Sequence, residues 1–298
     1  MGQNNAVVRF PYRAGDMQAG GPAQTVVPRP APQSGGHWTR DIGFSPDGRQ
    51  MYVSVGSGSN VATNLPRVVP EAIRALEARN GMGAVSGDEE LRASVLTFDP
   101  EGGAGRVFTT GLRNCSGLAV YPRTGDVWCA TNERDGLGDD LPPDFVTRVH
   151  EGTFYGWPWF YIGNHEDPRH RDARPDLATK VARPDIVLEA HAAPLGIAFY
   201  DGSGPASFPP EYRGDALVTM HGSWNRARRV GFKVVRVPLH DGVPQGFYDD
   251  FLTGFVLDDD RVWGRPVGVA VAHDGALLIG EDGNGTIWRT AYTGQTAR

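Results

Sequence analysis

The sequence predicts an all-β chain built from β-propeller blades, and three observations carry that expectation. Four segments repeat one pattern: an apolar-alternating strand, a glycine-bearing turn and a second apolar strand. They start at Ile42, Leu118, Ile197 and Val269, a period of about 75 residues. Forty glycines and 23 prolines among 298 residues supply the turn formers that many short strands need. Amphipathic helical periodicity is nearly absent.

Each element follows from a local pattern. VVRFPYRAGD, from Val7, reads as the last strands of a blade whose beginning is missing. IGFSPDGRQMYVSVGSGSN, from Ile42, alternates with period 2 on both sides of Pro-Asp-Gly, which predicts a hairpin. PEAIRALEARNG, from Pro70, carries Pro at its start and Gly at its end and predicts one short helix. SVLTFDP from Ser94 and RVFTTGL from Arg106 add two strands. Further hairpins are LAVYPRTGDVWCATNERDG from Leu118, IAFYDGSG…GDALVTMHGSWN from Ile197 and VAVAHDGALLIGEDGNG from Val269. VGFKVVRVPL from Val230 and TIWRTAY from Thr286 complete the set. About four strands per repeat of this length is a blade with long connecting loops. The whole chain, 1–298, is predicted as a single propeller domain holding four to five blades.

Composition narrows the function. With 40% hydrophobic residues the chain is long and apolar enough to bury a core. A net charge of −6 argues against a nucleic-acid partner, which needs clustered Lys and Arg. No apolar run has the length of a membrane span, and MGQNNAVVRFPYRAGD lacks the regions of a signal peptide. Cys115 and Cys129 can form one disulfide or stay as two buried thiols; spacing does not choose. GxSxG, HExxH and a strand-to-helix Gly-rich loop are all missing.

The repeat also says where function lies. Residues four to six positions before each repeat start occupy equivalent places, and they are His37, Arg113 with Asn114, His191 and Arg265. Histidine suits a general base because its ordinary pKa is near neutral. A guanidinium polarises a carbonyl or clamps a carboxylate, so Arg113 and Arg265 imply an anionic, oxygen-rich ligand. For each residue the competing reading is structural: a hydrogen-bonded histidine, or an ion pair between blades. Glu133, Asp135, Asp139, Asp140 and Asp144 share one Gly- and Pro-rich loop, either a calcium-binding loop or a solvated acidic one. The run FYGWPWFY, Phe154 to Tyr161, is either core or a stacking wall, and Trp224 has the same two readings.

Taken in order, GGHWTRDIGFSPDGRQMYVSVGS, GLRNCSGLAV, NERDG…DD…EGTFYGWP, APLGIAF, HGSWNR…GFKVVRV and GRPVGVAV resemble the sorbosone and soluble-glucose dehydrogenase family, quinoprotein propellers similar also to fungal pyranose dehydrogenases. The resemblance runs from about residue 6 to 292. It implies a six-bladed propeller that binds pyrroloquinoline quinone and calcium and oxidises a sugar or sugar aldehyde, passing electrons to an external acceptor. It implies His37 as the base, Arg113 as the residue polarising the quinone carbonyl, Asn114 beside the cofactor and Arg265 on its carboxylates. Asn225 and Arg226 match the region of a cofactor-contacting basic residue. Asp135 and Gly136 match positions whose backbone carbonyls bind the cofactor's calcium, and Asp140 with Tyr155 a second, structural calcium. A periplasmic or secreted location is implied by the resemblance alone.

Departures are informative. Ser57 stands where the glucose enzymes carry an acidic residue behind the base, and Glu189 and His191 precede AAPLG where an aromatic wall is expected. Both point to the sorbosone-like branch. At about 75 residues per blade the chain is too short for six, so the N-terminal blades are expected to be absent; the unpaired edges leave an oligomer open. Two other functions compete: a non-catalytic propeller that binds a peptide or glycan, and a calcium-dependent lactonase-type hydrolase.

Overall fold

A computed structural model describes residues 1–31, 35–66 and 69–294. The chain is nearly all-β, its sheets forming five propeller blades, and it divides into two compact units, 1–120 with 149–183 and 121–148 with 184–298.

Strands are numbered along the chain. In the first unit β1 (Gly2–Gln3), β2 (Ala6–Arg9) and β3 (Gln24–Pro28) form one antiparallel sheet. The expected terminal strands are therefore present as a three-stranded blade. β4 (Ile42–Phe44), β5 (Met51–Val55), β6 (Ser94–Phe98) and β7 (Arg106–Thr110) form the second blade in sequence order. Its first hairpin pairs Ile42 with Val53 and Phe44 with Met51, around the turn that Asp47-Gly48 closes. Gly48 has φ +69°, so glycine suits that turn. The helix α1 spans Pro70–Asn80, within the limits its Pro and Gly predict. β8 (Cys115–Val120) ends the first segment of this unit, and a small hairpin, β11 (Phe160–Tyr161) with β12 (His165–Glu166), lies in its second.

The second unit holds β9 (Val127–Thr131), β10 (Pro143–Val149) and β13 (Ile186–Ala190) in the order β9-β10-β13. A four-stranded blade follows: β14 (Pro194–Phe199), β15 (Ala216–Met220), β16 (Lys233–Val237) and β19 (Asp249–Leu252). Its excursion β17 (Leu239–His240) with β18 (Val243–Pro244) is a two-residue ladder. β20 (Pro266–Val271), β21 (Leu277–Glu281) and β22 (Thr286–Thr290) form the last. Register shifts fall between Pro194 and Ile197 and between Pro266 and Val269, just after His191 and Arg265. Such bulges re-aim the chain beside functional sites.

Apolar alternation disappears in three strands of three different sheets. Met51–Val55, Val127–Thr131 and Ala216–Met220 are buried at every position, because both faces of these strands are covered. The larger core of the second unit gathers Trp128, Val146, Ile186, Val218, Met220 and Val235. Fully burying a side chain of this kind contributes about 1.5–3 kcal/mol. Thr219, buried in β15, is bonded on both sides: its Oγ1 donates to Val267 O at 2.6 Å and accepts from Gly196 N at 2.7 Å. Neither cysteine is a free thiol.

Candidate functional site

In the first unit, His37 and Asn114 meet across Gly56. A Cβ on Gly56 would lie 2.5 Å from Asn114 Oδ1 and 2.6 Å from His37 Cβ, so only glycine permits the approach. His37 Nδ1 lies 3.0 Å from Ser57 O and 2.9 Å from Ser57 Oγ. Ser57 is fully buried and, through its own N–H, donates to Arg113 O at 2.8 Å. Arg113 is buried and aimed by Asn60: Nη2 donates to Asn60 Oδ1 at 2.9 Å and Nε to Asn60 O at 3.2 Å. Trp157 Nε1 donates to the same carbonyl at 3.1 Å. Three residues that the repeat singles out thus share one frame through Gly56, Ser57 and Asn60. Arg40 is buried beside Arg92, and burial together with that neighbouring charge lowers its pKa to about 10.

The second unit gathers the acidic loop. Asp135 Oδ1 accepts from Asn225 Nδ2 at 2.7 Å and lies 3.6 Å from His191 Nδ1, while His191 Nε2 meets Gly138 O at 2.9 Å. Arg226 donates to Asp139 O at 2.8 Å, to Ala190 O at 3.2 Å and to Asp140 Oδ1 at 2.8 Å. Gly136 is open around its α-carbon. Asp144 is buried and structural, its carboxylate accepting from Glu133 N and Ala193 N, both at 2.8 Å. Tyr155 is placed in the first unit and is buried, while Asp140 belongs to the second and is exposed. Among the described residues, no three His, Cys, Asp or Glu side chains group as a metal cage. The calcium that the resemblance implies at Asp135 and Gly136 would draw on backbone oxygens.

Arg265 stands on the last blade. Its Nε lies 2.9 Å from Asp282 Oδ1, which His221 Nε2 also approaches at 3.1 Å. Its N–H donates to Glu281 Oε1 at 3.0 Å. Glu281 also accepts from the N–H of Gly283 and Asn284 and from Thr286 Oγ1. Burial alone would raise this carboxyl, but those donors outweigh it and hold it below the usual range. Glu189, which stands where the resemblance leads one to expect an aromatic wall, pairs with Lys233 Nζ at 3.3 Å.

The aromatic run resolves to core. Phe154, Tyr155, Trp157 and Phe160 are all buried, Phe154 and Phe160 against Leu177 and Trp157 against Ala62, Val85 and Ala93. Trp224 is 82% exposed and free of that core. Residues that pattern reading missed are Gly56, Asn60 and Arg92. Gly56 carries a faint signal in VSVGS; Asn60 and Arg92 carry none, since their partners lie far along the chain.

The fold and these residues define a propeller of the kind that presents His and Arg on loops between strands. Comparison with known proteins agrees with the family resemblance. Residues 159–292 match the TrAA12-like family model. The fold matches the calcium structure of a Trichoderma reesei carbohydrate-active enzyme of family AA12 with TM-score 0.71, at 21% identity over 96% of this chain and 77% of that one. It matches the holo form of the pyranose dehydrogenase PQQ domain from Coprinopsis cinerea with TM-score 0.70, at 22% identity over 95% and 76%. An uncharacterised protein of Borreliella burgdorferi is 32% identical over 202 residues, 67% of this chain and 52% of that protein. The chain spans about half the length of the curated relatives it matches. No helix among the described residues is long and apolar enough to cross a membrane.

In the second unit Arg226 Nε and Arg265 Nε are buried N–H donors without a hydrogen bond, Arg265 Nε being close to Asp282 but misaligned with it. Buried donors left unpaired suit an oxygen-rich anionic group, and both belong to residues that the resemblance assigns to the cofactor.

Proposed function

We propose that this chain carries the catalytic residues of a calcium- and pyrroloquinoline-quinone-dependent dehydrogenase that oxidises a sugar or sugar aldehyde. The observation that carries this reading is the convergence of His37 and Asn114 on Gly56: a histidine fixed through Nδ1, with a buried amide and a buried arginine held in the same frame. Bound quinone supplies a carbonyl acceptor for a hydride. His37 Nε2 takes the proton of the substrate hydroxyl. Arg113, held in place by Asn60, would stabilise negative charge on the acceptor oxygen of that group, with the Asn114 amide beside it. Arg265, Asn225 and Arg226 are the residues that would hold cofactor carboxylates, and the carbonyls of Asp135 and Gly136 would hold its calcium. The substrate loses a hydride and a proton; an external acceptor receives the electrons. A periplasmic or extracellular place of work belongs to the same proposal.

Titration with pyrroloquinoline quinone and calcium, followed by absorbance, tests it. Saturable binding is expected, then bleaching of the oxidised quinone on addition of sorbosone or an aldose. His37→Ala is expected to bind quinone and not turn over, Arg113→Ala to lose both. Absence of binding at saturating quinone and calcium overturns the reading for this chain.

A further inference from the structure

We propose that the Ser57 peptide is the positioning element of His37: it fixes the ring as the Nδ1–H tautomer, so that Nε2 carries the lone pair, and Arg92 clamps both segments. This rests on the dehydrogenase reading only for the use made of that lone pair. His37 Nδ1 sits 3.0 Å from the Ser57 carbonyl, and a carbonyl oxygen can only accept, so Nδ1 donates. Ser57 Oγ lies 2.9 Å from the same nitrogen and donates its own proton to Ser59 O at 2.6 Å, so it too meets Nδ1 as an acceptor. A neutral imidazole has one N–H, which leaves the lone pair on Nε2.

The acceptor is itself held. Ser57 O also accepts from His37 N at 3.0 Å and from Arg92 Nη2 at 3.1 Å. Arg92, 3% exposed, donates further to Gly35 O at 2.7 Å, His37 O at 2.9 Å and Gly56 O at 3.0 Å. One planar guanidinium thus joins carbonyls of the 35–37 and 56–57 segments, a geometry a lysine ammonium does not reproduce. Orientation of a ring nitrogen by what the other nitrogen binds is the general logic of such sites. In this chain a buried hydroxyl and a peptide carbonyl take that part.

The test is a two-bond 15N–1H correlation spectrum of the labelled, cofactor-free protein at mildly alkaline pH, with His37 assigned by the signals missing in His37→Gln. A protonated Nδ1 and an unprotonated Nε2 are expected. An Nε2–H ring, an even mixture of tautomers or a doubly protonated ring overturns the assignment. Ser57→Ala, which keeps the carbonyl, is expected to lower kcat about fivefold with KM unchanged, and Arg92→Lys to shift His37 towards a tautomer mixture. His37 signals in Arg92→Lys that match wild type overturn the clamp. An Nδ1–H ring in a protein that oxidises no sugar sinks the dehydrogenase reading and leaves this one; turnover with an Nε2–H ring does the reverse.

Discussion

Gly56→Ala probes the frame around His37 more sharply than removal of any side chain. A methyl at Gly56 meets Asn114 Oδ1 at 2.5 Å and His37 Cβ at 2.6 Å. The backbone there is not left-handed, so alanine brings no dihedral strain and the whole effect is steric. Asn114 Oδ1 ends a side chain and can swing aside. His37 Cβ cannot, because its backbone N–H donates to Ser57 O and its carbonyl accepts from Arg92. Restoring an ordinary carbon contact of about 3.5 Å moves His37 by roughly 1 Å. Overpacking of this kind costs about 1–3 kcal/mol of stability, and a misplacement of about 1 Å costs about 100-fold in rate. The expected variant is therefore folded by circular dichroism, unfolds at lower urea, and loses about 100-fold in kcat with quinone as cofactor. Wild-type stability together with turnover within twofold of wild type would refute the reasoning, because His37 would then tolerate a displacement the packing forbids.

Other consequences follow from the same structure. Glu281→Gln removes a carboxylate whose folded-state pKa is depressed by its donors, against the opposing effect of burial. A depressed pKa stabilises above the unfolded value near 4.3 and is lost as pH falls through the folded value. The variant should be about 2 kcal/mol less stable at neutral pH by urea unfolding, with the gap to wild type closing below about pH 4; a pH-independent gap counts against the ionised carboxylate. Asp215 is buried, accepts from Leu239 N at 2.8 Å and pairs with Arg236 Nε at 2.5 Å, so Asp215→Ala should cost about 3 kcal/mol in the same assay. Trp128→Ala, at a fully buried site, should cost about 3–5 kcal/mol. Trp224→Ala, at a site 82% exposed, should stay within about 0.5 kcal/mol, and a larger loss there would place it in contacts the fold does not give it.

Period-2 alternation around Pro-Asp-Gly and His-Asp-Gly is a local signal, so the hairpins β4–β5 and β20–β21 are legible in the residues themselves. The Pro and Gly flanking α1 are local in the same way. Equivalence between repeats reaches further, to His37, Arg113 and Asn114, which share one frame in the first unit, whereas Arg265 stands in the second unit beside Asp282. His191, at the same repeat position, goes to the acidic loop at Asp135 and Gly138, where neighbours rather than spacing decide its role. The FYGWPWFY run reads the same whether it faces a ligand or a core; only its burial against Leu177 and Ala62 distinguishes the two. Sequence by itself determined the all-β class, the strands and the chemical types gathered at the repeat starts. Tertiary structure alone decided that Gly56 brings His37 to Asn114, that Ser57 turns the ring and that Arg92 binds the two segments together. Those contacts join residues 19 to 58 positions apart through backbone oxygens and a missing Cβ. Every residue has a carbonyl, so no side-chain pattern marks the ones that matter.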